Sequence, residues 1–127
     1  MKNFSNKKAR TLIKEVGDNT PFIKIKDLFP DEKKRTFEKG EIPILGYIKV
    51  HSKDYDKDQY SLLVNVKGND YFMNVPSWYG VSLAEDFIDS GMKAEEYFDK
   101  AYIKEIEEFE TKYKNNTYNI IVFEEDE

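Results

Sequence analysis

Apolar and polar positions alternate most clearly between residues 42 and 75, and this stretch organises the chain. Three runs there read as strands in series: 42–50, Tyr60–Val66 and Tyr71–Val75. Side chains alternate across a strand. In the first run Ile44, Gly46, Ile48 and Val50 are therefore expected on one face, and Leu45, Tyr47, Lys49 and His51 on the other. Tyr60, Leu62, Val64 and Val66 form an apolar face in the second run, with Tyr71, Met73 and Val75 beside them from the third. The opposite face would hold Tyr47, Lys49, His51, Ser61, Asn65, Lys67, Phe72 and Asn74, a polar and aromatic surface. Gly46 inside a strand predicts a bulge or a sharp coil. Gly68-Asn69 supplies hairpin turn residues.

The flanks change period. Ala9, Leu12, Ile13 and Val16 recur at three- and four-residue spacing, which predicts a basic amphipathic helix over 5–16. Phe22 to Ile25 reads as a short strand. Pro30 opens an expected helix over 31–38 that Gly40 ends. After Pro76, Ser77-Trp78-Tyr79-Gly80 reads as a loop. Ser82 and Glu85 form a capping-box pattern ahead of Leu83, Ala84, Phe87 and Ile88, and Gly91 signals the helix end. A shorter helix covers 93–100. A hairpin of 105–113 with 117–124 follows, preferred over a helical reading of Ile103, Ile106, Phe109 and Tyr113. The chain ends in Glu124-Glu125-Asp126-Glu127.

From residue 41 the order is strand, strand, strand, helix, strand, strand. This predicts a mainly β fold with helices, a five-stranded barrel of the oligonucleotide/oligosaccharide-binding (OB) type over 41–127, with 1–40 as an extension packed on it. An open α+β sheet is the rival architecture.

Composition narrows the chemistry. The 127 residues suit one domain. Without cysteine there is no disulfide, no thiol nucleophile and no Cys-ligated zinc. No apolar run is long enough for a membrane span and the N-terminus lacks a signal core, so a soluble cytoplasmic protein without a membrane partner is expected. Residues 1–40 carry 11 Lys/Arg against 6 Asp/Glu, whereas 41–127 carry 9 against 19. Such asymmetry fits two partners of opposite charge, or a homo-oligomer joined basic end to acidic body.

Catalysis is not expected. The single histidine, His51, has no nucleophile pattern around it, and there is no phosphate-binding glycine loop and no implied cofactor. Asp54, Asp56 and Asp58 resemble the start of a calcium loop. Gln59 replaces its turn glycine and Asn65 its bidentate glutamate, so no metal is expected. The best site candidate is aromatic and basic. Tyr47, Phe72 and Trp78 would stack on bases, and Lys49, Lys53, Lys67, Lys112 and Lys114 would follow phosphates, as single-stranded nucleic acid requires. If the N-terminal extension covers that sheet face, Tyr47 and Phe72 are simply core. An alternative set is acidic: Asp54, Asp56, Asp58, Glu105, Glu107, Glu108 and Glu110 would imitate phosphates toward a basic host protein, as a phage-encoded inhibitor of the anti-CRISPR kind would.

The segment Asn74-Val75-Pro76-Ser77-Trp78-Tyr79-Gly80-Val81, with its helix and closing hairpin, resembles small early-region proteins of Gram-positive phages and mobile elements. The resemblance implies a non-enzymatic barrel that binds single-stranded DNA and supports DNA replication or recombination. The acidic tail is similar in character to the partner-recruiting tail of bacterial single-strand-binding proteins, without the apolar tip.

Overall fold

The computed structural model describes residues 6–14, 16, 17, 19–52, 57–112 and 116–122; of 6–10, 52, 116, 121 and 122 it describes the backbone alone. The central meander has the expected order. Strands β4 (Ile44–Ser52), β5 (Lys57–Val66) and β6 (Asn69–Val75) pair antiparallel in sequence order. The turn between β5 and β6 is Lys67-Gly68, one position earlier than Gly68-Asn69, with both residues at positive φ (53° and 89°). Two consecutive positive φ values give the turn whose twist matches the flanking strands. The Asn65 carboxamide oxygen accepts the Gly68 N–H at 3.1 Å and fixes it.

The N-terminal region is where expectation and structure part. Residues 6–12 form strand β1 (Asn6–Leu12), not a helix, and β1 pairs antiparallel with β4. The apolar residues read as one helical stripe serve two sides of the sheet. Ile13 packs on the main core, whereas Leu12 and Val16 pack on a second cluster. An open edge on β4 outweighed the weak helical period. Strand β2 is only Phe22–Ile23 and lies parallel to β6. The expected helix over 31–38 is also absent. A 3-10 turn spans Ile25–Leu28, and Lys34–Thr36 forms β3 on the edge of a second sheet.

Thus one sheet runs β1-β4-β5-β6-β2 and the other β3-β7-β8, with β7 (Ile103–Glu110) and β8 (Asn116–Val122) as the closing hairpin. The two sheets meet at the antiparallel bridge between Pro43 and Tyr102. There the Ile44 N–H reaches the Ala101 carbonyl and the Ile103 N–H the Ile42 carbonyl, both at 3.0 Å. The fold is mainly β with helices α1 (Ser77–Ser90) and α2 (Ala94–Tyr97) between the sheets in sequence. None of the described helices is long and apolar enough to cross a membrane.

Helix α1 starts at Ser77, so the predicted 77–80 loop is its first turn. Pro76 sits at the cap and its carbonyl accepts the Gly80 N–H at 3.0 Å. Gly91, at φ 70°, closes the helix by donating to the Ile88 carbonyl. Its buried side carries Tyr79, Gly80, Leu83 and Ala84. These meet a core built from Ile44, Leu62, Val64 and Met73 of one sheet and Ile103, Ile106 and Ile120 of the other. One cost is visible there. The buried Tyr79 hydroxyl has no partner among the described residues, and burial pushes its ionisation up. An unpaired buried hydroxyl costs about 1–3 kcal/mol. Tyr79→Phe is therefore expected to raise stability by about 1 kcal/mol, read as a higher urea midpoint at unchanged slope. A lower midpoint would show that the hydroxyl is bonded in solution.

Candidate nucleic-acid interface

The bulge at Gly46 decides where the predicted stacking residues go. Register slips between Ile44 and Gly46, so Ile44 faces Val64 while Tyr47 faces Leu62. Both therefore point into the main core, and parity is inverted from Gly46 onward. Tyr47 is 6% exposed and packs between Tyr60, Phe87 and Phe98 with ring centres 6.2–6.4 Å away. Phe72 does lie on the opposite face, but it is 3% exposed. With Ile48 and Leu63 it forms a second small core beneath Leu12, Val16, Leu45 and Val50. The segment that joins β1 to β2 holds this cover in place: Lys14 forms a 2.7 Å ion pair with Asp70, and the Pro21 carbonyl accepts the Phe72 N–H. The Lys14 bond, helped by Asn65, holds the Asp70 carboxyl below its usual range. Neither Tyr47 nor Phe72 offers a face to a base, and the physical reason is the same: each is needed to fill a core.

The predicted cations are dispersed. Lys49 lies 3.5 Å from Asp58, which also takes a 2.8 Å hydrogen bond from His51 Nδ1. That bond, reinforced by Lys49, keeps the Asp58 carboxyl below its ordinary range. Lys67 stands at the β5–β6 turn, a strand length from Trp78, while Lys112 follows β7 at the opposite end of the hairpin from the bridge. Lys53 and Lys114 lie outside the described residues, as do Asp54, Asp56 and the acidic tail.

Much of the acidic set is neutralised within the chain. Glu105 lies 3.6 Å from Lys34 of β3, and Glu108 lies 3.0 Å from Lys26. Glu107 is partly exposed and Glu110 exposed. Among the described residues no group of three or more His, Asp or Glu side chains is placed to hold a metal ion.

What remains is a different surface. A cleft of about 480 Å³ opens between the β2–β6 edge and β8, lined by Phe22, Lys24, Lys26, Asp27, Asn74 and Tyr118 among others. Phe22 is 60% exposed and rests on Phe72, ring centres 5.7 Å apart. Trp78 is 48% exposed, and its indole N–H donates to Thr117 Oγ1 at 3.2 Å, one residue from Tyr118. Phe109, also exposed, pairs with Thr117 across the hairpin. Of the three exposed rings among the described residues, Phe22 alone lines the cleft; Trp78 and Phe109 both meet Thr117, whose side chain leaves β8 on the opposite face from Tyr118. Lys24 is exposed on its rim, and Lys26 sits 4.4 Å over the Phe29 ring. Burial raises the ionisation of Tyr118, with Glu108 adding to it, so its phenol stays neutral.

Sequence reasoning named Trp78, which does not line the cleft, and missed Phe22 and Lys24, which do. Phe22 carried no signal: 22–25 reads as an ordinary short strand, and only the pairing with β6 shows that two of its residues join a sheet. Comparison with protein-family models, with curated proteins and with solved structures returned no match for this chain.

Proposed function

We propose that the chain is a non-enzymatic single-stranded nucleic-acid-binding protein on an OB-like barrel, of the kind that supports DNA replication or recombination. The barrel reading rests on the element order and on the Pro43–Tyr102 bridge, which joins the first strand of the meander to the first strand of the closing hairpin as a Greek-key barrel requires. On the other side Phe22–Phe29 stands between β6 and β8, and that is where the cleft lies.

The observation that carries the function is the exposed ring of Phe22 in a cleft that it shares with Lys24, Lys26, Asn74 and Tyr118. Flat exposed rings stack on bases whatever their identity, and nearby ammonium groups follow the backbone. The acidic body limits phosphate attraction, so binding is expected to be modest and salt-sensitive. Proposed partners are thus a DNA or RNA strand of a few nucleotides at each site. The acidic-inhibitor alternative draws less support, because Asp58, Glu105 and Glu108 already have cationic partners in the chain.

Anisotropy of a labelled thymine oligomer, titrated at low and moderate salt, tests this. Micromolar binding is expected at low salt. Phe22→Ala is expected to weaken it about tenfold, in line with roughly 1–3 kcal/mol for one stacked base, and Lys24→Glu to weaken it further. Lys57→Glu, at an exposed position at the start of β5 and outside the cleft lining, should leave it unchanged. No binding at low salt would sink the reading, and equal loss from Lys57→Glu would move the site.

A further inference from the structure

Helix α1 is apolar on two sides. Its inner side seats Tyr79, Leu83 and Ala84 on the sheet. Trp78, Val81 and Ile88 nonetheless remain 48%, 39% and 69% exposed. At 100° per residue, positions 78, 81, 85 and 88 fall within one narrow arc nearly opposite the buried side. Met92, exposed just past the Gly91 cap, adds apolar surface at that end. Four of the six large apolar side chains exposed among the described residues therefore belong to this one helix and its cap. The fourth position of the arc is Glu85, and Asp86 and Asp89 stand beside it.

Helical spacing of three, four and three is what a packed helix presents to another helix. A second copy is a poor occupant: α1 carries three carboxylates and no Lys or Arg, so pairing two copies would gather six carboxylates without counter-charge. We propose that this outer face of α1 is a docking surface for a cationic amphipathic helix of a different protein. The partner's apolar residues would cover Val81, Ile88 and Trp78, and its Lys or Arg residues would meet Glu85 and Asp89. Residues 77–99 hold six carboxylates against Lys93, so the surround of the stripe favours the same sign of partner. From Trp78 to Ile88 the face is about 15 Å long, which matches roughly three turns of a partner helix.

Trp78 is the single tryptophan of the chain, so its emission reports occupancy of the face. The full chain would be titrated with a tryptophan-free 14-residue Leu/Lys amphipathic helix and with a Leu/Glu twin of the same apolar pattern. A saturable blue shift is expected with the Leu/Lys peptide and none with the twin. Ile88→Ser and Val81→Ser are each expected to lower the affinity at least tenfold while circular dichroism stays unchanged. Both sites are solvent-facing, so the fold tolerates them. Equal affinity in Ile88→Ser would overturn the proposal, because charge alone would then explain the contact. Equal response to both peptides would overturn it as well. So would a dimer mass by light scattering that Ile88→Ser abolishes, since the occupant would then be a second copy. Oligonucleotide anisotropy of the two serine variants should match that of the parent chain, so loss of either activity can be told from loss of the other.

Discussion

Gly46→Ala is expected to cost about 4 kcal/mol or more, a large fraction of the 5–15 kcal/mol that holds a domain of this size. Two effects add at one atom. Gly46 has φ 133°, where an L side chain is strained. An added Cβ would also lie 2.1 Å from the Thr11 carbonyl oxygen and 2.7 Å from the Leu12 Cα. Both are backbone atoms of β1, so no rotamer change relieves the contact. Either β1 leaves β4 or the bulge reverts and Tyr47 turns out of the core. Urea unfolding should show the loss in the midpoint, and amide exchange should show β1 opening first. A change below about 1 kcal/mol would mean that the bulge does not have this geometry.

Gly80→Ala is the second large effect, expected at about 3 kcal/mol. A Cβ there would stand 2.3 Å from Tyr60 Cγ and 2.4 Å from its Cβ. These atoms sit next to the β5 backbone and cannot swing away. Gly80 is thus the point of closest approach between α1 and the sheet, and it sets the height of the helix. Lifting α1 also moves Trp78 away from Thr117, so the substitution should lengthen or break that indole hydrogen bond. A lower urea midpoint together with a shift in Trp78 emission is expected; a stable variant with unchanged emission would refute the close approach.

The meander was legible because each of its strands carries its own alternation and its own turn residues. The closing hairpin was less legible, because Ile103, Ile106, Phe109 and Tyr113 also fit a helix; the observed strands, Ile103–Glu110 and Asn116–Val122, differ from 105–113 and 117–124 mainly at their ends. The N-terminal strand was not legible. Ala9, Leu12, Ile13 and Val16 fit a helix by spacing, and only the edge of β4, distant in sequence, draws Ala9 and Leu12 into a strand and leaves Leu12 and Val16 as a cover. The candidate site failed for a related reason. Alternation alone places Tyr47 outside, and one inserted residue at Gly46 turns it inside. Gly46 hinted at a bulge, but which later residues change sides follows only when the pairing with β5 is known. Exposure of Phe22 and of the outer side of α1 is likewise a tertiary property, since apolar spacing does not say which of two apolar sides is covered.

The pairing of β1 also bears on how the chain is made. Leu12 precedes its partner Gly46 by 34 positions, and Asn6 precedes Ser52 by 46. At about 5–20 residues per second, β1 leaves the ribosome several seconds before β4 exists to receive it. An unpaired strand in that interval is a template for wrong partners, including the same strand of a neighbouring nascent chain. Its opening run, Asn6-Lys7-Lys8-Ala9-Arg10, puts three like charges in five residues, and mutual repulsion keeps such strands apart. The basic character of this region therefore has a use before the protein is folded.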